Sequence, residues 1–269
     1  MPHVEVAERP GRDHSEDRVV VLPNSVALLD GATSLEPGAR TGGWYAERLA
    51  AELAELLPRE ELGLRDILRA GIASTASRHG LVPGDSPSST AALLRWTSTA
   101  VEALVLADSP VVVFTGTGYH PVTDDRLARL RSPGRRGGFR DRLRSGSGYD
   151  EEHWTRLRAA MRGTARSRNV DGGFWVAEAD PDAADRAVVA RWPRDEVRAA
   201  LLASDGVSCG VDDYGLYRDW PELLAEATTD GPRAVLDRVR AAEEGDPDGR
   251  RWPRAKRHDD QSLVVLRFG

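Results

Sequence analysis

Apolar positions run in short blocks towards both ends of the chain and recur at helical spacing between them. Residues 19–22 and 26–30 are two strand-like runs, and Pro23-Asn24-Ser25 between them is turn chemistry. The pair predicts a hairpin whose second strand ends on Asp30-Gly31. Ala46, Leu49, Ala50, Leu53 and Leu57 then follow at helical spacing, with Glu47, Glu52 and Glu55 on the opposite face. Residues 64–79 repeat the pattern through Ile67, Leu68, Gly71 and Ile72 and stop before Gly80; both stretches predict amphipathic helices. After a loop at 83–87, residues 90–96, 101–108 and 111–114 predict consecutive strands. A helix is expected over 151–161, strands over 174–179 and 187–191, and a strand within 200–206 that ends at Asp205. Helices are expected over 220–227 and 232–243, and Asp259-Asp260 lead into a final strand. Strands grouped with strands and helices with helices indicate layered α+β architecture, not a doubly wound sheet.

Residues 116–148 break the pattern. They are rich in Gly and Arg, including Arg135-Arg136-Gly137-Gly138, and read as a mobile surface segment instead of a second domain. The chain, residues 1–269, is therefore expected to be one domain with a variable flap over about 116–170. Composition narrows the class further. The formal net charge is −6, which argues against general nucleic-acid binding. No apolar run approaches the roughly 18 residues of a membrane span. The charged start, Met1 to Pro10, lacks the apolar block of a signal peptide. Cys209 is the only cysteine, so no internal disulfide forms, and a cytoplasmic location is expected. Lys256 is the only lysine. It follows Ala255, so neither a phosphate-binding Gly-Lys-Ser/Thr loop nor a kinase strand lysine is present.

Acidic residues recur where apolar strands begin or end: Glu16-Asp17, Asp30-Gly31, Asp108, Asp205-Gly206 and Asp259-Asp260. Any one of them is most simply a turn or a solvated pair. Neighbouring strands, however, place their ends side by side, and carboxylates collected there repel unless a cation stands between them. All-oxygen donors suit Mg²⁺ or Mn²⁺. A glycine after Asp30 and after Asp205 permits close backbone approach.

The run Arg12, Glu16, Asp17, followed by LLDGATS (28–34), SSTAALL (88–94), LVLADSP (104–110), LLASDGV (201–207) and HDDQSLVVL (258–266), resembles the successive motifs of the metal-dependent protein phosphatase 2C family, in its bacterial form. The match spans residues 12–268 and is weak between 116 and 170. The resemblance implies a four-layered αββα sandwich with two Mn²⁺ or Mg²⁺ ions at one end. It assigns Asp30 to bridge both ions, the Gly31 carbonyl to one, and Asp205 and Asp259 as direct ligands. Glu16 and Asp17 match the early acidic pair, and Asp108 matches the aspartate of a third, weaker ion. Arg12 matches the arginine that holds the substrate phosphate. The implied chemistry is phosphomonoester hydrolysis by a metal-bridged hydroxide, in a monomer acting on a phosphorylated protein or a small phosphomonoester.

Departures from the family are visible. Ala32 stands where a histidine often follows Asp-Gly, Ala107-Asp108-Ser109-Pro110 replaces Gly-Asp-Ser-Arg, and Asp259-Asp260 replaces Asp-Asn. They keep a metal-poor regulatory or binding module open as an alternative. Gly206-Val207-Ser208-Cys209-Gly210 also matches the nucleophile-elbow pattern of serine hydrolases. That pattern needs a strand-to-helix turn, and 211–217 is a poor helix start. Cys209 is expected to be a small buried apolar residue, because Gly215 stands where a cysteine phosphatase needs arginine. The six histidines show no paired zinc spacing.

Overall fold

A computed structural model of the chain describes residues 2–34, 40–130 and 138–269. The strands are β1 (His3–Arg9), β2 (Arg18–Leu22), β3 (Ser25–Leu29), β4 (Ala91–Trp96), β5 (Ala100–Leu106), β6 (Val111–Thr115), β7 (Gly118–Val122), β8 (Val188–Pro193), β9 (Val197–Ala203) and β10 (Gln261–Arg267). The helices are α1 (Gly42–Leu56), α2 (Leu64–His79), α3 (Arg126–Leu130), α4 (Phe139–Arg144), α5 (Glu151–Ala165), α6 (Asp205–Asp212), α7 (Trp220–Thr229) and α8 (Pro232–Glu244). Two antiparallel sheets result, in the orders β1-β10-β9-β6-β7 and β2-β3-β4-β5-β8.

The inner strands read as continuous apolar runs because both of their faces are covered. Along β3, Val26 and Leu28 point into the core between the sheets, while Ala27 and Leu29 pack under α1 and α2. On the other sheet Ala200 and Leu202 enter the same central core, and Ala199, Leu201 and Ala203 meet the layer of α7 and α8. Period-two alternation between two apolar environments leaves no polar face to see in the sequence. The four layers are helix, sheet, sheet, helix, as the α+β expectation requires. Thr41 caps α1 by accepting from the Trp44 N–H at 3.1 Å, and Gly80 ends α2 in the left-handed region at φ 60°.

Several expectations are corrected. β1 lies in the charged N-terminal stretch and pairs with β10 over its whole length, His3 opposite Arg267 to Arg9 opposite Gln261. Its alternating charges mark a partly solvated edge strand. Residues 174–179 form no strand of a sheet; Ala177 makes an isolated bridge to Ser89, and the Asn169 side chain donates to the Val176 carbonyl and accepts its N–H. The side-chain amide supplies what a ladder neighbour would have supplied. The segment after residue 116 is not structureless: β7 pairs with β6, and α3, α4 and α5 follow. Arg135, Arg136 and Gly137 lie outside the described residues. Finally, β9 does turn directly into a helix, α6.

Register places the acidic positions at one end of the sandwich. Arg18 lies opposite Leu29, so Glu16-Asp17 and Asp30 leave β2 and β3 together. Ala91 lies opposite Leu106, which puts Asp108 beside the entry to β4. On the second sheet Leu263 lies opposite Ala203, so Asp259-Asp260 and Asp205 meet in the same way.

Candidate metal and phosphate centre

Glycines let the strand ends approach. A Cβ at Gly31 would stand 2.4 Å from the Gly42 carbonyl carbon and 2.7 Å from the Glu16 oxygen. One at Gly206 would stand 1.9 Å from the Asp260 oxygen. Both lie below any tolerated contact, so both places are closed to side chains, and the two Asp-Gly pairs are packing devices as well as turns. The Gly31 N–H donates to the Glu16 carbonyl at 3.2 Å and the Ala32 N–H to Ser88 at 2.9 Å. Asp260 anchors the loop before β2 by accepting from the Gly11 and Glu16 N–H groups at 2.7 and 2.9 Å. The second acid of the C-terminal pair is thus buried and serves the backbone.

The remaining carboxylates share one electrostatic field. Burial raises the pKa of Asp30 well above the usual carboxylate range, and Asp17, Asp205, Asp259 and Asp108 each push it further. Asp17 is 1% exposed, and neither of its oxygens has a hydrogen-bond partner. Burial raises its pKa to about 7, with Asp260 and Asp259 adding repulsion. The hydroxyls of Ser262 and Ser204 are near enough to lower it, but neither meets hydrogen-bond geometry. Among the described residues, no three carboxylate, imidazole or thiol groups are gathered tightly enough to hold a metal ion as they stand. The acids share a field, not a coordination sphere.

A cation stands among them. Lys256 donates to Asp259 Oδ1 at 2.5 Å and to Thr33 Oγ1 at 2.8 Å, and Thr33 in turn donates to Glu16 Oε2 at 2.9 Å. Burial would lower the Lys256 pKa, but Asp259, Asp205 and Asp30 outweigh burial and hold it above the usual lysine range. Neither Lys256 nor Thr33 was expected in this role. The available signal was Lys256 itself, the single lysine of a chain whose 37 basic residues are otherwise arginine.

Arg12 is exposed at the rim, with its guanidinium 5.6 Å from the centre of the Trp154 ring on α5. The neighbouring Gly11 packs against the Asp259 main chain, where a Cβ would meet the carbonyl carbon at 2.7 Å. Helix α5 also reaches the Lys256 loop: the buried His153 contacts the Ala255 carbonyl through Nε2 at 2.9 Å. The flap region therefore touches Arg12 itself and the backbone next to Lys256.

The nucleophile-elbow pattern dissolves at this level. The strand-to-helix turn exists at Ser204-Asp205, but Ser208 lies past it, inside α6, with its N–H donating to the Ser204 carbonyl at 3.0 Å. His258 faces Glu243 at 3.0 Å instead. Cys209 is half-buried instead of fully buried, and burial pushes its thiol pKa well above the ordinary value, so it is a poor nucleophile.

No protein-family model and no curated protein matches the chain. Solved structures do. The catalytic domain of the serine threonine protein phosphatase PstP, in complex with two manganese ions, superposes with a TM-score of 0.58 at 16% identity, over 99% of this chain and 97% of that one. The chain has the protein phosphatase 2C fold. Serine/threonine phosphatase Stp1 from Staphylococcus aureus gives 0.58 at 16% identity, over 100% and 96%. PppA, a key regulatory component of T6SS in Pseudomonas aeruginosa, gives 0.57 at 18%, over 99% and 97%. The architecture implied by the motifs of the protein phosphatase 2C family is the one observed. Identities this low carry the fold and leave the chemistry to the residues.

Proposed function

We propose that the chain is a divalent-metal-dependent phosphomonoester hydrolase acting on phosphoserine or phosphothreonine in proteins. The observation that carries this reading is Asp17: a carboxylate buried without a hydrogen-bond partner, in the electrostatic field that Asp30 shares with Asp108, Asp205 and Asp259. A buried unpartnered carboxylate is costly unless a cation completes it. The donor set, all oxygen and strongly acidic, fits Mn²⁺ or Mg²⁺ in charge and chemistry. Asp30, Asp205, Asp259 and the Gly31 carbonyl would hold the two ions that the resemblance implies, with Glu16 or Asp17 completing the set and Asp108 serving a third. Ions so bound would lower the pKa of a coordinated water and offset charge on a phosphoryl group.

The chain's own residues supply the rest. Arg12 offers a guanidinium fork at the rim for phosphate oxygens, and Trp154 stacks against it and limits its range of positions. Asp260 fixes the loop that carries Arg12 and Glu16. Thr33 links Glu16 to Lys256 and keeps that carboxylate oriented. Asp108 is approached through Ala107, whose φ of 69° is unusual for a residue with a side chain and whose N–H donates to Asp124 Oδ2 at 3.0 Å. The likeness to PstP and Stp1, both serine/threonine phosphatases, supports the reading.

The test is hydrolysis of p-nitrophenyl phosphate and of a phosphothreonine peptide with Mn²⁺. Wild type should turn over and lose activity in chelator, and Asp205→Ala should be slower by on the order of 10³-fold or more. Equal rates for the two proteins would refute catalysis at this centre. The second reading, a metal-poor binding module, is favoured by Ala32 and by the lysine among the acids; it predicts phosphopeptide binding with no turnover by wild type.

A further inference from the structure

We infer that Lys256 is a resident cation that holds the place of one divalent ion, so that the second ion binds only in competition with its ammonium group. The inference rests on reading the acidic cluster as a divalent-ion centre. The ammonium lies between two of the carboxylates assigned to the ions: it contacts Asp259 Oδ1 directly at 2.5 Å and reaches Glu16 through the Thr33 hydroxyl, at 2.8 and then 2.9 Å. Asp17, by contrast, has no cation beside it and no hydrogen bond, only the nearby hydroxyls of Ser262 and Ser204. The cluster is therefore divided into a side already neutralised by the protein and a side still lacking a counter-charge.

The loop is built to keep the lysine there. Arg254, 9% exposed, donates to the Glu243, Asp246, Trp252 and Arg257 carbonyls at 2.8–3.1 Å and pairs with Asp246 Oδ2 at 2.9 Å. Asp246 also accepts the N–H groups of Arg250, Arg251 and Trp252. On the other side His153 of α5 meets the Ala255 carbonyl at 2.9 Å. Residues on both sides of Lys256 are thus tied to the body of the fold. The fixed backbone leaves only the lysine side chain itself to order, which lowers the entropic cost of holding its ammonium in the centre. Elsewhere the chain uses arginine for its positive charge; here it uses the compact point charge that most resembles a metal ion.

Titration calorimetry of the full chain with Mn²⁺ tests the inference on wild type, Lys256→Gln and Lys256→Arg. A like charge a few ångströms away weakens ion binding by one or more powers of ten, so Lys256→Gln should bind its second equivalent of Mn²⁺ at least about tenfold more tightly than wild type. Lys256→Arg, which keeps the charge, should behave as wild type does. The gain would support the inference whether or not either protein hydrolyses a phosphomonoester, so it is read separately from the activity. Identical stoichiometry and affinity, within about twofold, for wild type and Lys256→Gln would overturn it. So would an increase of equal size in Lys256→Arg. Should Lys256→Gln not fold, the only lysine gives a single ¹³Cε resonance in wild type. That resonance should hold its position through the first equivalent of Mg²⁺. A move to the position of a solvated lysine at that equivalent would overturn the inference.

Discussion

Two buried aspartates, Asp17 and Asp246, are treated in opposite ways. Asp246 is 7% exposed and every oxygen is occupied: three backbone N–H groups and the Arg254 guanidinium donate to it. Burial alone would raise its pKa, but these donors outweigh burial and hold it below the usual carboxylate range. Asp17 is more deeply buried, accepts no hydrogen bond of good geometry, and is pushed up to about 7 by burial. A carboxylate that shapes a loop arrives with its partners in the sequence around it. One that waits for a ligand is surrounded by other acids. The lesson is that the number of donors separates a structural acid from a functional one where burial cannot.

The largest stability effect should come from the satisfied member. Asp246→Ala leaves the buried Arg254 charge without its partner and three N–H groups without an acceptor. It should cost about 3–5 kcal/mol, equally with and without divalent ions, measured by urea unfolding. A loss that Mn²⁺ repairs would place Asp246 with the centre and break the distinction.

The unsatisfied member should respond the other way. The folded chain keeps the Asp17 proton up to about pH 7, and the unfolded chain releases it near 3.8. Between those values the folded state binds more protons, so stability falls as pH rises through the window. Asp17→Asn removes that dependence. In chelator it should match wild type near pH 4 and exceed it by about 2–4 kcal/mol at pH 8. Added Mn²⁺ should reverse the order at pH 8. A difference between the two proteins that does not change with pH would show that Asp17 carries no displaced proton.

Helices α1, α2, α5, α7 and α8, the hairpin and the inner strands were legible because buried apolar runs and helical spacing are strong local signals. Gly80 marked the end of α2, and Pro23-Asn24 marked the turn from β2 to β3. The acidic strand ends were legible as a recurring pattern, and register explains why they meet. β1 was not legible, because an edge strand whose outward positions are charged carries no apolar block. Residues 174–179 misled for the opposite reason. Their apolar side chains are buried, but Asn169 takes over the Val176 backbone bonds that a strand would have needed. The helix after Asp205 was hidden because its sequence has few strong helix formers; it is held by packing over β9 and β10, with Val207 fully buried. The role of Lys256 depends on contacts with Thr33 and Asp259 across 223 and three positions of sequence, which no local pattern carries.

The central claim is that the acids at one end of the sandwich receive divalent cations. Manganese-specific anomalous scattering from crystals soaked in Mn²⁺ tests it most directly. A peak among Asp17, Asp30 and Asp205 is the predicted result, with occupancy on the Lys256 side rising in Lys256→Gln. Well-ordered crystals soaked to saturation with no manganese peak touching Asp30 or Asp205 would contradict the claim.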